Sequence, residues 1–296
     1  MMNNYHIPVM LKECVEALNI KENGIYVDVT FGGGGHSKAI LEKLGPKGKL
    51  LAFDRDIDAQ TNKPKNKNFI LIDHSFEFMK NFLRFENAEK VDGILADLGI
   101  SSHQIDNPAR GFAHRFDGPL DMRMDKDLNL SAADIINEWS ERDLIKMFRE
   151  YGEIQNAPKL VSYIVSARAK ASIETIEEFK EQIKPCIPQG KESKYLSQVF
   201  QAIRIEVNQE LHALKKMLKQ SLDVLKPGAR LVVMSYHSLE DRLVKNFMAS
   251  GNFEGKVERD IYGKYETPFK VLNKKAITAD ELELAANPRS RSAKLR

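Results

Sequence analysis

The chain has 296 residues, of which 42% are hydrophobic and 29% charged, and these proportions predict a soluble globular protein with room for two domains or one large insertion. The formal net charge of +3 is too small to indicate a nucleic-acid partner by itself. Two cysteines without a C-x-x-C pair, scattered histidines, no signal peptide and no apolar run of membrane length argue against disulfide frameworks, metal sites and membrane spans, and favour a reducing cytosol.

Strand and helix patterns alternate through the first hundred residues. Helical spacing over 9–20 precedes a strand at 25–29, a helix from 37 to 44, a strand at 49–53, a short helix near 57–62, a strand at 69–72, a helix around 76–83 and a strand at 91–95. Parallel strands that are buried on both faces need such continuous apolar runs. The pattern therefore predicts an α/β fold with a doubly wound parallel sheet.

The next clear strand, 230–234, comes more than a hundred residues later, whereas a strand–helix–strand crossover needs only about 30. The excess predicts an inserted helical domain at 105–212, and a main domain made of 1–104 and 213–296. The predicted helices of the inserted domain are 131–137, 141–151, 157–170 and 175–183. Ser131 and Ser140 are expected N-caps, and Thr175 with Glu178 fits a capping box.

Apolar residues at steps of three and four between Phe200 and Leu225 predict one long helix of about seven turns. Pro227-Gly228 and a strand follow at once, which favours a core-facing crossover helix over a coiled coil. Residues 190–193 are predicted to form a mobile loop. The segment 287–296 is basic and contains no acid.

Four glycines, residues 32–35, stand between the first strand and its helix. Alone they fit either a closely packed turn or a loop that binds a ligand through its backbone. Asp54, about 20 residues further on, is placed to accept ribose hydroxyls, which fits both NAD enzymes and S-adenosylmethionine-dependent methyltransferases. Asp28 would repel a pyrophosphate and Ser37 replaces the last glycine of G-x-G-x-x-G, so the methyl donor is favoured. A solvated turn acid is the alternative for Asp54.

Asp97 follows the fourth strand and is expected at the same carboxyl edge of the sheet, where open α/β sheets bind ligands. Gln104 is a candidate for hydrogen bonding to the adenine or to a substrate base. Phe76 is a candidate to cover the adenine face, and a core position is its alternative.

The chain resembles the RsmH (MraW) family of bacterial 16S rRNA methyltransferases, which act on cytidine N4. The matching segments are 6–10, 26–37, 92–102, 110–112, 118–125, 200–211, 236–242 and 287–296. The resemblance implies a Rossmann-like class I methyltransferase fold with an inserted domain, S-adenosylmethionine as cofactor, and a cytidine of the decoding centre as target. It implies a donor site made of Gly34, Gly35, His36, Asp54, Phe76, Asp97 and Gln104. The chain departs from the family pattern at residues 103, 113–114 and 236.

Asp97 is the best candidate among the carboxylates to accept a hydrogen bond from the N–H of the attacking amine. This role competes with its place in the donor site. The chain lacks the Asn/Asp-Pro-Pro-aromatic motif after strand four, so a stacking aromatic must come from Phe112, Phe116 or Tyr236. Tyr236 and His237 follow the fifth strand and are predicted to face the crevice. His237 is a weaker candidate for proton acceptor.

The segment 101–125 is rich in arginine and aspartate. Arg110 and Arg123 are predicted to contact RNA phosphates, with a self-paired surface loop as the alternative. In the basic tail, Arg289 and Arg291 are predicted to follow the rRNA backbone, with a frayed terminus as the alternative.

Two other functions stay open from the residues alone: an NAD-dependent oxidoreductase with the same glycine loop, and a non-catalytic module that binds ribosomes. The expected partner is 16S rRNA in the 30S subunit, and the expected location is the cytoplasm. The sequence does not decide between a monomer and a homodimer.

Overall fold

The computed structural model describes residues 8–257, 262 and 266–296. The chain separates into two compact units, Met1–Gly99 with Leu211–Arg296, and Ile100–Glu210. The predicted domain borders lie at 104/105 and 212/213, close to these limits.

A six-stranded sheet is the centre of the first unit. Its strands are β1 (Ile25–Asp28), β2 (Lys49–Phe53), β3 (Phe69–Ile72), β4 (Val91–Asp97), β5 (Leu225–Ser235) and β6 (Lys294–Leu295). They are arranged in the order β3-β2-β1-β4-β5-β6, with β6 antiparallel to β5 and all other pairs parallel. The predicted doubly wound α/β fold is confirmed, and the reversal of strand order beside β1 marks the crevice where such folds bind ligands.

Helices cover both faces of this sheet. The helices of the first unit are α1 (Leu11–Leu18), α2 (Gly35–Lys43), α3 (Met79–Phe85), α10 (Glu210–Val224), α11 (Ser238–Ser250) and α12 (Glu281–Ala286). One core contains Val27, Leu51 and Ile94 with residues of α3, α10 and α11. Alternate strand residues, such as Tyr26 and Leu50, join α1 and α2 in a second core. Strands buried on both faces explain the unbroken apolar runs in the sequence.

The second unit is helical and has its own core. Its helices are α4 (Ser102–Asp106), α5 (Ala132–Glu138), α6 (Glu141–Gly152), α7 (Ala157–Arg168), α8 (Ile176–Ile183) and α9 (Glu192–Val207). Ser131 and Ser140 cap α5 and α6, and Thr175 forms a capping box with Glu178 at the start of α8. These three sequence predictions are confirmed, because caps depend only on neighbouring residues.

The prediction of one long helix over 200–225 is wrong. The structure has two helices, α9 and α10, separated by Asn208 and Gln209. Gln209 has φ = 50°, which no α-helix accommodates. The amide of buried Asn208 donates to the carbonyls of Met122 and Arg204 and accepts from the N–H of Met124. These bonds fix a bend that the apolar spacing does not reveal. The predicted mobile loop at 190–193 is also shorter, since α9 begins at Glu192.

Among the residues that the structure describes, no helix is both long and apolar enough to cross a bilayer.

Candidate functional site

The glycine loop combines tight packing with one open position. Gly34 has φ = 75°, and Gly32 has φ = 50°, so both need glycine's conformational freedom. A Cβ on Gly35 would collide with the ring of Pro8, whereas a Cβ on Gly33 would meet no atom within 4 Å. The first turn of α2 follows and leaves main-chain N–H groups without helical partners. Gly33 is therefore an exposed position of the loop at which the backbone is open to a ligand.

Asp28 is an internal brace rather than a direct ligand. Its carboxylate is fully buried, and it accepts hydrogen bonds from Ser37 Oγ at 2.7 Å and from the Thr30 N–H at 3.1 Å. Thr30 Oγ1 in turn accepts from the Asp97 N–H at 2.6 Å. Its carboxylate therefore joins the loop to α2, and any influence on a cationic donor would act through the backbone of the loop. Burial raises the pKa of Asp28.

Asp54 closes the crevice at the end of β2. Its Oδ2 accepts the Gly32 N–H at 2.7 Å, and its Oδ1 accepts the Asp56 N–H at 2.9 Å. Burial raises the pKa of Asp54 to about 6, against the lowering effect of these two bonds. Each carboxylate oxygen keeps acceptor capacity beyond one hydrogen bond, so Asp54 is able to accept two hydroxyl groups of a ribose.

Asp97 lies where the loop, β4 and β5 meet. Its Oδ1 accepts from the Tyr236 hydroxyl at 2.7 Å, and its Oδ2 lies 3.6 Å from His36 Nδ1. Burial raises the pKa of Asp97 to about 6, although His36 and the Tyr236 hydroxyl lower it. The other ring nitrogen of His36 is 3.1 Å from the Val9 carbonyl oxygen. The structure thus brings together Asp97, Tyr236 and His36, which the sequence places far apart.

Tyr236 and His237 differ in their surroundings. The bond to Asp97 orients the Tyr236 ring, and burial raises the pKa of its hydroxyl, so the hydroxyl is protonated and donates. His237 Nε2 lies 3.2 Å from Glu240 Oε1, but neither ring nitrogen has a partner in hydrogen-bond geometry among the described residues. Glu240 also accepts the Tyr236 N–H at 3.1 Å. The sequence did not predict the roles of Thr30 and Glu240 as hydrogen-bond partners in this site. Their closeness along the chain to Asp28 and His237, respectively, was the signal that could have indicated them.

Phe76 begins a short 3₁₀ turn, Phe76–Phe78, after β3. Its ring is partly buried against the core of the first unit. Helix α10 holds this turn, because Gln220 Nε2 donates to the Glu77 carbonyl at 2.6 Å and Lys216 Nζ lies 2.9 Å from Glu77 Oε2. Phe76 is therefore positioned at the carboxyl edge of the sheet by both its own core contacts and α10.

Gln104 belongs to the second unit. Its side chain completes a capping box with Ser101 at the start of α4, and its Oε1 accepts the Ser101 N–H at 3.0 Å. Its predicted contact with the cofactor or a base stays a prediction.

The arginines of the 101–125 segment favour the self-paired alternative. Arg110 is only 5% exposed, and its guanidinium donates to the carbonyls of Arg123 and Met124. Arg123 binds Asp121 through two nitrogens at 2.9 and 2.7 Å. Phe112 is 6% exposed and belongs to the core of this unit. The assignment of Arg110 and Phe112 to RNA contacts is therefore not supported, because a buried side chain with internal partners cannot reach a phosphate or a base.

The basic tail is largely built into the fold. Residues Lys294–Leu295 form β6, and Arg296 Nε donates to Asp241 Oδ1 at 2.7 Å. Arg291 is exposed and Arg289 is half-buried. The alternative of a frayed terminus at 287–296 is thus not favoured. The contact of Arg289 and Arg291 with the rRNA backbone stays a prediction.

Comparisons with known proteins cover nearly the whole chain. Residues 3–296 match the model of the MraW methylase family. A ribosomal RNA small subunit methyltransferase H of Bacteroides thetaiotaomicron is 56% identical over 292 residues, which are 99% of this chain and 96% of that protein. The protein with the same name from Flavobacterium johnsoniae is 55% identical over the same shares of the two chains.

Proposed function

The chain belongs to the MraW methylase family, an S-adenosylmethionine-dependent methyltransferase family acting on small-subunit rRNA, and we propose that its target is the exocyclic N4 of one cytidine in the decoding centre of 16S rRNA. The observation that carries the proposal is the cluster around Asp97. A partly buried carboxylate whose pKa is raised to about 6 lies at the ligand-binding edge of the sheet, where the attacking amine needs a hydrogen-bond acceptor.

The residues of the first unit fit the methyl donor. Asp54 has acceptor capacity for the two ribose hydroxyls. The open position at Gly33 and the first turn of α2 offer main-chain N–H groups to a carboxylate. Phe76 lies at the same edge, and Asp97 adds negative charge for a cationic ligand. When bound, S-adenosylmethionine supplies an electrophilic methyl group on sulfur.

The chain's own groups must make the cytosine amine reactive. Its lone pair is delocalised into the ring, so positioning and charge stabilisation contribute most of the effect. The Asp97 carboxylate accepts a hydrogen bond from the amine, which helps the nitrogen to become tetrahedral. As the nitrogen gains positive charge, the same carboxylate is suited to take its proton, because its pKa of about 6 keeps it ionised yet basic near pH 7.

Two neighbours position Asp97 for this work. The Thr30 hydroxyl fixes its main chain, and the Tyr236 hydroxyl holds one carboxylate oxygen. The second oxygen, Oδ2, is left for the amine, with His36 Nδ1 3.6 Å away.

A cytoplasmic location is part of the proposal. Cys14 and Cys186 are both buried free thiols, as expected for a protein of a reducing compartment that works on ribosomal subunits.

Product mapping tests the proposal directly. Unmodified 30S subunits are incubated with the protein and isotope-labelled S-adenosylmethionine, and the nucleosides of 16S rRNA are identified by mass spectrometry. We expect one labelled N4-methylcytidine with the wild type and a large loss with Asp97→Asn. Label on a carbon atom, on another base or on no nucleoside would contradict the proposal, and the last result would favour a non-catalytic ribosome-binding module.

A further inference from the structure

Two lysines of α10 meet over a single aromatic ring. Lys215 and Lys219 are exposed and lie one helical turn apart. Their Nζ atoms are 5.8 and 5.7 Å from the centre of the Phe253 ring. Phe253 is stacked on Phe247, with ring centres 5.0 Å apart and planes inclined by 23°. The ring is thus anchored in the core of the first unit and holds both ammonium groups in place by cation–π attraction.

In the part of the chain that the structure describes, neither ammonium group has an acid to neutralise it. Within residues 8–257, 262 and 266–296, no carboxylate lies at ion-pair distance from Lys215 or Lys219, and Glu254 beside Phe253 pairs with neither. The adjacent Lys216, by contrast, lies 2.9 Å from Glu77 Oε2. Like charges one turn apart repel each other. An anion between the two lysines would remove this repulsion and gain two charge-assisted hydrogen bonds.

The position on the fold indicates which anion. Helix α10 belongs to the unit that holds the candidate donor site and packs against the turn after β3 through Lys216 and Gln220. The substrate of this family is an RNA, whose backbone offers phosphate groups to exposed lysines.

We propose that Lys215 and Lys219, held over Phe253, bind phosphate groups of the rRNA backbone. The inference rests on the proposed function, in that the RNA is the substrate whose cytidine is methylated. Phosphate contacts fix register and carry no sequence information, so this surface supplies affinity and orientation while selection of the cytidine resides elsewhere.

Salt dependence of binding tests the inference. The affinity for unmodified 30S subunits is measured between about 50 and 200 mM salt, where log affinity falls linearly with log salt. Each lost phosphate contact makes this fall shallower, reducing the magnitude of the slope by about 0.7 to 0.9. We expect K215A/K219A to reduce the magnitude of the slope by about 1.5. Lys80→Ala is the matched control, because it removes an exposed lysine that is already paired with Asp223 at 2.7 Å.

The outcomes separate this inference from the proposed function. Unchanged S-adenosylmethionine affinity of the double variant shows that its fold is intact. If its slope equals that of Lys80→Ala, the phosphate site is refuted, whatever the wild type methylates. If the wild type does not methylate 16S rRNA, the proposed function is refuted, and the slope still decides whether the lysines bind RNA phosphate.

Discussion

Replacing Tyr236 with phenylalanine removes one hydroxyl and tests whether Asp97 must be ionised for methyl transfer. In the wild type this hydroxyl donates to Asp97 Oδ1 at 2.7 Å. Burial raises the pKa of Asp97 to about 6, and the hydroxyl opposes that rise by stabilising the carboxylate. Without the hydroxyl, the pKa of Asp97 must increase further.

The size of the change follows from the bond that is lost. A hydrogen bond to a charged group contributes about 1.5 to 3 kcal/mol, which corresponds to a pKa increase of about 1 to 2 pH units. The Asp97 side chain is 23% exposed, so water replaces part of the lost bond. We therefore expect an increase near the lower end, about 1 pH unit.

The assay is the pH profile of kcat/KM for 30S methylation, which reports the essential groups of the free enzyme. In the wild type, activity should fall as the pH drops through about 6. In Tyr236→Phe, this acidic limb should move upward by about 1 pH unit, with much of the activity regained at higher pH. Tyr163→Phe, at a surface position that is 37% exposed, should leave the profile unchanged. An unshifted limb in Tyr236→Phe with normal donor affinity would refute the role of the Asp97 carboxylate.

Three further predictions concern the walls of the crevice. Thr30→Val should lower kcat about tenfold, because the Asp97 N–H loses its acceptor, while Thr30→Ser should keep wild-type turnover. Equal losses of kcat in both variants would show that the Thr30 hydroxyl does not position Asp97. Asp54→Asn should weaken S-adenosylmethionine binding in equilibrium dialysis. Since burial raises the pKa of Asp54 in the folded state to about 6, the unfolding free energy of the wild type should fall as the pH rises from about 4 to 6. In urea titrations, the unfolding free energy of the variant should depend less on pH over this range. Gly35→Ala should destabilise the fold by about 1 to 3 kcal/mol through its collision, whereas Gly33→Ala should leave the melting temperature unchanged and weaken donor binding; the reverse pattern would contradict the open position at Gly33.

Local patterns in the sequence determined the fold of the first unit and most helix starts. The predicted strands at 49–53 and 69–72 match β2 and β3 residue for residue. The capping box of Thr175 and Glu178 was equally readable. These features follow from side-chain periodicity and from hydrogen bonds between near neighbours, and both are written within a few consecutive residues.

Other features depended on partners far along the chain. The break between α9 and α10 exists because Asn208 binds the main chain of Met122 and Met124, so an unbroken apolar stripe predicted one helix. Arg110 is buried in the second unit, where its guanidinium donates to the carbonyls of Arg123 and Met124, and no sequence motif indicates these partners. The sequence therefore left both an RNA contact and a self-paired loop open for Arg110, and its partners in the structure favour the self-paired loop.

The sequence also determined which residues belong to the crevice, since Asp54 follows β2 and Asp97 ends β4, the two strands that flank β1, and the carboxyl ends of parallel strands meet at one edge. Only the tertiary structure decided what each of them does. Asp28 turned inward to Ser37, and Tyr236 reached Asp97 across 139 positions of the chain. Hydrogen-bond direction and burial, which set the pKa of each carboxylate, arise from packing between distant segments, and no local pattern contains them.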